Sequence, residues 1–199
     1  MELISSFEII TAVIVGVCLS ACCGFRVFTP FFILSLCNYC FPDTIPLAEN
    51  MDFICELPAV IGLGTATIVE MIAFYIPWFD NILGAITTPV AGIAGLLLGA
   101  LILSDINPFF QWTLATIAGG TAVGINVSTE TIRLASTTFT AGLGNFIVST
   151  TENLLVIIAS VTAIIFPIIA LILLIFILIV LFIIARKIIK RKKLKKVSN

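Results

Sequence analysis

The feature that most restricts the fold is a run of 32 uncharged residues, 154–185, in which Pro167 is the one strong helix breaker. As a single helix at 1.5 Å per residue the run would be about 48 Å long, whereas the hydrocarbon core of a bilayer is about 30 Å thick. The run therefore predicts either one tilted helix kinked at Pro167 or two helices that meet there. We favour two helices.

The rest of the chain is also rich in apolar residues and poor in charge. Of its 199 residues 60 % are hydrophobic and only 11 % are charged, whereas soluble domains carry about a quarter charged residues. The apolar stretches are continuous and not alternating, which argues against a barrel. We predict an all-α membrane protein with about six transmembrane helices, forming a single polytopic domain over residues 1–185.

The charges are distributed asymmetrically. Eight of the ten basic residues lie within residues 186–196, and all eleven acids lie at or before Glu152. The positive-inside rule places the tail, residues 186–199, in the cytoplasm. With six spans the N-terminus is cytoplasmic as well, and the acidic loop at 38–56 is on the other side. We interpret the tail as a topology anchor, with binding of anionic lipid or nucleic acid as the alternative; our expected partners do not include nucleic acid.

Several kinds of chemistry are excluded or disfavoured by the composition. The chain has no histidine, which removes imidazole bases and histidine-ligated metals. Cys37 and Cys40 form a lone C-x-x-C, which we read as incidental, or as a disulfide if the loop faces an oxidising compartment. We expect no metal, no cofactor and no catalytic residue.

Two arginines, Arg26 and Arg133, are the only basic residues before the tail. An arginine in apolar membrane sequence is energetically expensive and is a functional-site hypothesis by default. Gly24 and Pro30 flank Arg26, which predicts a break in the helix there. Residues 27–36 are apolar but too short to cross a bilayer, so we predict a re-entrant or half-spanning helix.

Arg133 lies in residues 131–145, where Thr, Ser and Gly replace large aliphatic residues. We predict a second broken or re-entrant helix here, with the break at Gly142-Leu143-Gly144. The two halves, about 7–103 and 109–185, then resemble each other, and three spans plus one re-entrant piece per half predict an inverted repeat, a recurrent transporter plan. In that plan both arginines lie near each other at the repeat interface.

The arginines suggest a binding site for an anion. Guanidinium groups match carboxylates and phosphates bidentately, and nearby hydroxyl, amide and backbone N–H groups add donors. A structural ion pair between Arg133 and Glu130 is the alternative for the arginine. The predicted substrate-binding residues are Arg26, Arg133, Ser136, Thr137 and Asn145, and the predicted proton-coupling or counter-ion residues are Glu70, Glu130 and Glu152.

Seven motifs along the chain resemble a family of bacterial membrane proteins, the domain-of-unknown-function family DUF4126. They are A-C-C-G-F-R-V-F-T-P at 21–30, Y-I-P-W-F-D-N at 75–81, I-T-T-P-V-A-G at 86–92, I-A-G-G at 117–120, R-L-A-S-T at 133–137, G-L-G-N at 142–145 and S-T-T-E-N at 149–153. The resemblance implies a multi-pass protein of the bacterial inner (cytoplasmic) membrane. It implies no particular activity.

The predicted architecture is also similar to that of undecaprenyl-pyrophosphate phosphatases and polyprenyl-phosphate flippases, although none of their motifs is matched. Our leading hypothesis is a small transporter or flippase for an anionic solute or a phosphate-bearing lipid headgroup. The alternatives are a channel or pore formed by a homo-oligomer packed on the Gly95 and Gly99 face, and a structural membrane protein held by Arg–Glu ion pairs. A lipid-phosphate hydrolase is the weakest alternative.

Overall fold

The computed structural model describes the backbone of residues 6–42, 44–48, 51–104, 106–140 and 143–197. Within these ranges it describes all side chains except those of residues 6, 8, 77–82, 85, 137–140, 143, 185 and 188–197. This part of the chain is all-α and contains no strand. Its elements are α1 (Ser6–Cys22), α2 (Phe28–Cys40), a 3-10 turn (Asp52–Cys55), α3 (Leu57–Ala73), α4 (Pro77–Ile102), α5 (Pro108–Thr140), α6 (Leu143–Ile165) and α7 (Pro167–Val197).

Prolines mark the beginnings of four helices. Pro77, Pro108 and Pro167 are the first residues of α4, α5 and α7, and Pro58 is the second residue of α3. Proline suits this position because its missing N–H would have no partner in the helix and its φ angle is already helical. Pro89 lies inside α4, which continues through it.

Helix α1 occupies the centre of the bundle and packs against α4, α5, α6 and α7. Small residues allow these close contacts. A Cβ atom on Gly95 of α4 would lie 3.0 Å from the carbonyl oxygen of Ser20 and from Cβ of Ala122, and one on Gly99 would lie 3.1 Å from Oγ of Ser20. Gly95 and Gly99 therefore pack against α1 and α5 of the same chain, and assembly into an oligomer stays a prediction.

The apolar run at 154–185 forms two helices, α6 and α7, joined at Phe166. Val156 of α6 belongs to the same buried cluster as Ile177 of α7, so the two helices fold back on each other. The prediction of two helices meeting at Pro167 is confirmed. Two segments are long and apolar enough to cross a membrane by length and composition, Gly144–Ile165 with 22 residues and Pro167–Ile184 with 18.

The predicted break around Arg26 is confirmed, whereas Arg133 itself lies inside a continuous helix. The chain leaves helical geometry at residues 23–27, and α2 is a short helix of 13 residues. Helix α5, in contrast, is continuous for 33 residues and includes Arg133. Helix α5 ends at Thr140, and the next helix, α6, begins at Leu143 and has 23 residues. Among the described residues of the second half no short helix corresponds to α2, and the inverted repeat stays a prediction.

Candidate functional site

The site begins at the break between α1 and α2. At Gly24 the chain passes so close to α5 that a Cβ atom would lie 2.4 Å from the carbonyl oxygen of Ala122. Asn126 of α5 donates its Nδ2 to the Gly24 carbonyl at 3.2 Å. This contact satisfies a backbone oxygen that the end of α1 leaves free. These contacts hold the break against α5. Arg26, two residues after Gly24, is directed into the bundle.

Both arginines bind the same carboxylate. Arg26 Nη1 donates to Oε2 of Glu152 at 2.9 Å, and Arg133 Nη2 donates to that same oxygen. Arg26 comes from the break after α1, Arg133 from α5 and Glu152 from α6. Arg26, Arg133 and Glu152 are 1 %, 3 % and 4 % exposed, respectively. The cluster formed by these three residues, the Arg–Glu–Arg cluster, connects three parts of the chain inside the protein.

An aromatic ring lies against the two guanidinium groups. The centroid of the Phe74 ring is 4.0 Å from Cζ of Arg26 and 4.5 Å from Cζ of Arg133. Both distances are within the range of a cation–π interaction, which is stronger where water is excluded. Phe74 is itself only 3 % exposed. It therefore holds the two like-charged groups close to one another without adding a charge.

A chain of hydrogen bonds orients Arg26 from the other side. Its Nε donates to Oδ1 of Asn153 at 2.8 Å, and Nδ2 of Asn153 donates to the Tyr75 hydroxyl at 3.3 Å. The Tyr75 oxygen lies 3.0 Å from Oγ1 of Thr150. Because the Thr150 hydroxyl donates to the carbonyl oxygen of Phe146, Tyr75 is the donor to Thr150. Tyr75 thus holds Asn153, which in turn holds Arg26.

Glu130 supplies a second carboxylate for Arg133. Its Oε1 accepts from Arg133 Nη1 at 3.0 Å, one helical turn away on α5. A Cβ atom on Gly84 of α4 would lie 2.5 Å from Oε2 of Glu130. Glycine at position 84 thus leaves the room that this carboxylate occupies.

The Glu70 carboxylate accepts two hydrogen bonds from backbone N–H groups. Its Oε1 accepts from the Val27 N–H at 2.6 Å, and its Oε2 accepts from the Phe28 N–H at 3.0 Å. These are N–H groups at the beginning of α2, where a helix leaves donors free and its dipole favours negative charge. Glu70 caps α2 from 42 residues away, and its predicted proton-coupling role stays a prediction.

Glu130 supplies the second negative charge that the Arg–Glu–Arg cluster, with two arginines and one glutamate, lacks. Two guanidinium groups face Glu152 and Glu130, while Glu70 is held by the α2 N-terminus and also interacts electrostatically with Arg26. Within the described residues, Nη2 of Arg26 and Oε1 of Glu152 are buried without a hydrogen-bond partner. One donor and one acceptor thus remain available in the centre of the cluster.

Comparison with known families places these residues in a family. The model of a domain of unknown function matches residues 13–187, which is most of the chain and includes the whole cluster. The chain belongs to the DUF4126 family. No curated protein and no solved structure matches it. The resemblance that the sequence motifs indicate is thereby confirmed, and the function must be argued from the site of this DUF4126 member itself.

The structure gives the positions of three further predicted site residues in the helices. Ser136 is half-buried on α5, three residues after Arg133, and Asn145 is buried near the beginning of α6. The backbone of Thr137 is in α5, but its side chain lies outside the described residues. The substrate-binding roles of these three residues stay predictions.

The cysteines and acids form no site that the structure supports. Cys37 and Cys40 are both free thiols, so the alternative of a disulfide between them is not present in this structure. Among the residues that the structure describes, no group of three His, Cys, Asp or Glu side chains is arranged to hold a metal ion.

Sequence reasoning missed Phe74, Asn126 and Asn153 as parts of the site. Asn153 directly follows Glu152, so its place beside the arginines is signalled by its neighbour in the chain. Phe74 carries no comparable signal, because one aromatic residue in an apolar helix is indistinguishable from the others. Its role depends on the end of α3 meeting α6, where Oγ of Ser149 donates to the Phe74 carbonyl at 3.2 Å.

Proposed function

We propose that this DUF4126 member is a multi-pass membrane protein that binds and moves an anionic solute, or the phosphate-bearing headgroup of a lipid, through the Arg–Glu–Arg cluster. The membrane part of the proposal is supported by six helices of at least 17 residues, enough for about six spans, with α2 as an added short helix. It is also supported by large apolar side chains on the outside of α7: Ile168, Ile172 and Phe176 are each more than 60 % exposed. Exposed apolar surface of this kind suits lipid.

The charge distribution supports an orientation in the bilayer. The basic residues at 186–196 favour a cytoplasmic position for the end of α7 in a bacterial inner membrane. Six crossings with α2 as a half-spanning helix would put the N-terminus on the same side. Arg26 follows the end of α1, and Arg133 and Glu152 lie within α5 and α6. The Arg–Glu–Arg cluster would then lie inside the hydrocarbon core of the membrane.

The observation that carries the anion proposal is the convergence of two guanidinium groups on one oxygen of Glu152. In this arrangement the carboxylate of Glu152 takes the place that an anionic ligand would take between the arginines. A free carboxylate or phosphate presents the same kind of oxygen to the same donors. Glu152 is therefore an internal occupant of an anion-binding position.

Exchange between Glu152 and a ligand follows from charge. While Glu152 is ionised, it satisfies both arginines, and a second anion meets its repulsion. If Glu152 takes up a proton, the two guanidinium groups lose the carboxylate that they share, Arg133 keeps its ion pair with Glu130, and a bound anion restores the missing charge. Anion binding would then be coupled to uptake of one proton, and the unpartnered Nη2 of Arg26 is a donor ready for the ligand.

Transport by the purified protein in vesicles tests this proposal. We expect uptake of the anion to be abolished by Arg26→Gln and by Arg133→Gln, and to be unaffected by Arg186→Gln on the exposed end of α7. Glu152→Gln removes the competing charge, so we expect it to tighten anion binding and to eliminate the dependence of uptake on a proton gradient. Wild-type uptake without any sensitivity to Arg26 or Arg133 would contradict the proposal.

One observation favours a second function, a structural membrane protein without transport. The charges of the cluster are balanced inside the chain and the arginines are almost completely enclosed, as in a purely structural ion network. The two functions differ in their response to Glu152→Gln. A structural network is weakened by the loss of charge and binds no anion, whereas an anion site gains affinity.

A further inference from the structure

The beginning of α2 is built like an occupied anion site. Two successive N–H groups, those of Val27 and Phe28, point to the two oxygens of a single carboxylate, Glu70. Consecutive N–H groups at a helix N-terminus, together with the helix dipole, form a general binding site for carboxylate, phosphate and sulfate groups. Helix α2 supplies no capping side chain of its own at Val27, so the position is open to an anion from elsewhere.

Two unpartnered buried groups support a ligand at this position. Arg26 precedes Val27 directly, is 1 % exposed, interacts electrostatically with Glu70 and leaves Nη2 without a hydrogen-bond partner among the described residues. Thr29, in the first turn of α2, is also 1 % exposed, and its hydroxyl has no hydrogen-bond partner in the described part of the chain. Buried polar groups normally find partners. The Thr29 hydroxyl is thus an unused buried donor in the first turn of α2, and Arg26, directly before Val27, retains a second unused donor.

The position differs from the Arg–Glu–Arg cluster in its access. Phe28 is 41 % exposed and Glu70 is half-buried, whereas Glu152 is 4 % exposed. The α2 N-terminus therefore reaches the surface of the bundle, and Arg26 lies between this surface and Glu152. An anion that arrives from outside meets the α2 N-terminus before it meets Arg133.

We propose that the N-terminus of α2, with the N–H groups of Val27 and Phe28 and the guanidinium of Arg26, is an outer binding site for an oxoanion group, a phosphate or a carboxylate, and that Glu70 occupies it when no ligand is bound. This site deepens the proposed function and rests on it. The anion first displaces Glu70 at the surface and then reaches the position held by Glu152. In the absence of a ligand, Glu70 and Glu152 thus occupy two successive anion-binding positions on the two sides of Arg26.

Removal of Glu70 tests the outer site. Glu70 competes as a tethered group, whose effective concentration is in the millimolar range or higher, so Glu70→Ala is expected to strengthen phosphate binding by about tenfold or more. The purified protein, labelled with ¹⁵N at valine and phenylalanine, is titrated with inorganic phosphate, acetate and dihexanoyl phosphatidic acid. We expect the amide signals of Val27 and Phe28 to shift with ligand in Glu70→Ala, and to shift only weakly in the wild type.

The titration distinguishes a lipid headgroup from a free anion, and it also shows which of the two proposals fails. Shifts with phosphatidic acid but not with inorganic phosphate assign the site to a lipid headgroup, and the reverse assigns it to a free anion. If Glu70→Ala does not fold, Glu70→Gln retains one acceptor oxygen and is titrated in the same way. Unchanged Val27 and Phe28 signals at saturating ligand in these variants overturn the outer site. If Glu152→Gln still gains affinity, the proposed function stands without it; if neither variant binds, both fail.

Discussion

Replacement of Glu152 by alanine is the most direct test of the Arg–Glu–Arg cluster. Removing one partner of a buried ion pair costs about 3–5 kcal/mol, because the other charge stays buried without compensation. Here one carboxylate oxygen serves two arginines whose side chains are 0 % and 4 % exposed, so we expect a loss near 5 kcal/mol. Since domains are stable by about 5–15 kcal/mol in total, the variant should be close to unfolding.

The loss is measured by equilibrium unfolding in mixed micelles, with helix content followed by circular dichroism. Glu56→Ala is the matched control, because Glu56 is an exposed acid before α3 whose side chain makes no capping bond; we expect a change within about 0.5 kcal/mol.

A second change tests the reason for the loss. Glu152→Ala breaks the ion pair of Arg26, whereas Arg133 keeps its ion pair with Glu130. Adding Arg26→Met removes the cation left without its carboxylate, so the double variant should be more stable than Glu152→Ala alone. The coupling energy between the two positions is expected at the upper end of the usual range of about 0.5–3 kcal/mol. If Glu152→Ala unfolds like Glu56→Ala, or if the losses at the two positions simply add, the reasoning is refuted.

Three further predictions use other parts of the structure. Phe74→Leu removes two cation–π contacts of about 0.5–2 kcal/mol each, so unfolding should show a loss of about 1–4 kcal/mol; a loss under about 0.5 kcal/mol would exclude these contacts. Gly119→Ala places a Cβ 2.7 Å from a carbonyl oxygen of α4 and should cost about 1–3 kcal/mol. A Cβ atom on Gly120 would meet nothing within 4 Å in the described part of the chain, so Gly120→Ala should raise the free energy of unfolding by up to about 1 kcal/mol through helix propensity. Equal changes in stability for the two variants would contradict the close packing at Gly119. Burial raises the pKa of the Cys55 thiol. A membrane-impermeant maleimide added to intact cells should therefore label exposed Cys40 first, and Cys55 efficiently only at higher pH. No labelling of Cys40 would contradict a loop outside the cytoplasm.

The sequence was sufficient for those features that depend on local chemistry. Gly24 and Pro30 predict the break around Arg26, and Pro167 predicts the boundary between α6 and α7, because glycine and proline act on the backbone where they stand. The rarity of charge in the apolar sequence was enough to select Arg26, Arg133 and Glu152, which the structure brings together.

The remaining features depend on contacts between distant segments. Helix α5 continues through Arg133. Its Thr and Ser residues are compatible with a helix when their hydroxyls bond to carbonyl oxygens four residues earlier, as Thr131 does with Val127 at 2.8 Å. Sequence periodicity does not reveal this choice. Likewise, the capping of α2 by Glu70 requires α3 to lie beside α2, and no local pattern contains that arrangement.

The position of Glu152 also has a consequence for the biogenesis of the protein. Arg26 is made 126 residues before its counter-ion, and at synthesis rates of about 5–20 residues per second the ribosome needs about 6–25 s to reach it. During this time the nascent chain holds a guanidinium group whose final partner does not yet exist. Glu70 is synthesised much earlier and already fixes the residues that follow Arg26. The carboxylate that caps α2 is therefore well placed to act as a temporary partner for Arg26 until α6 is synthesised.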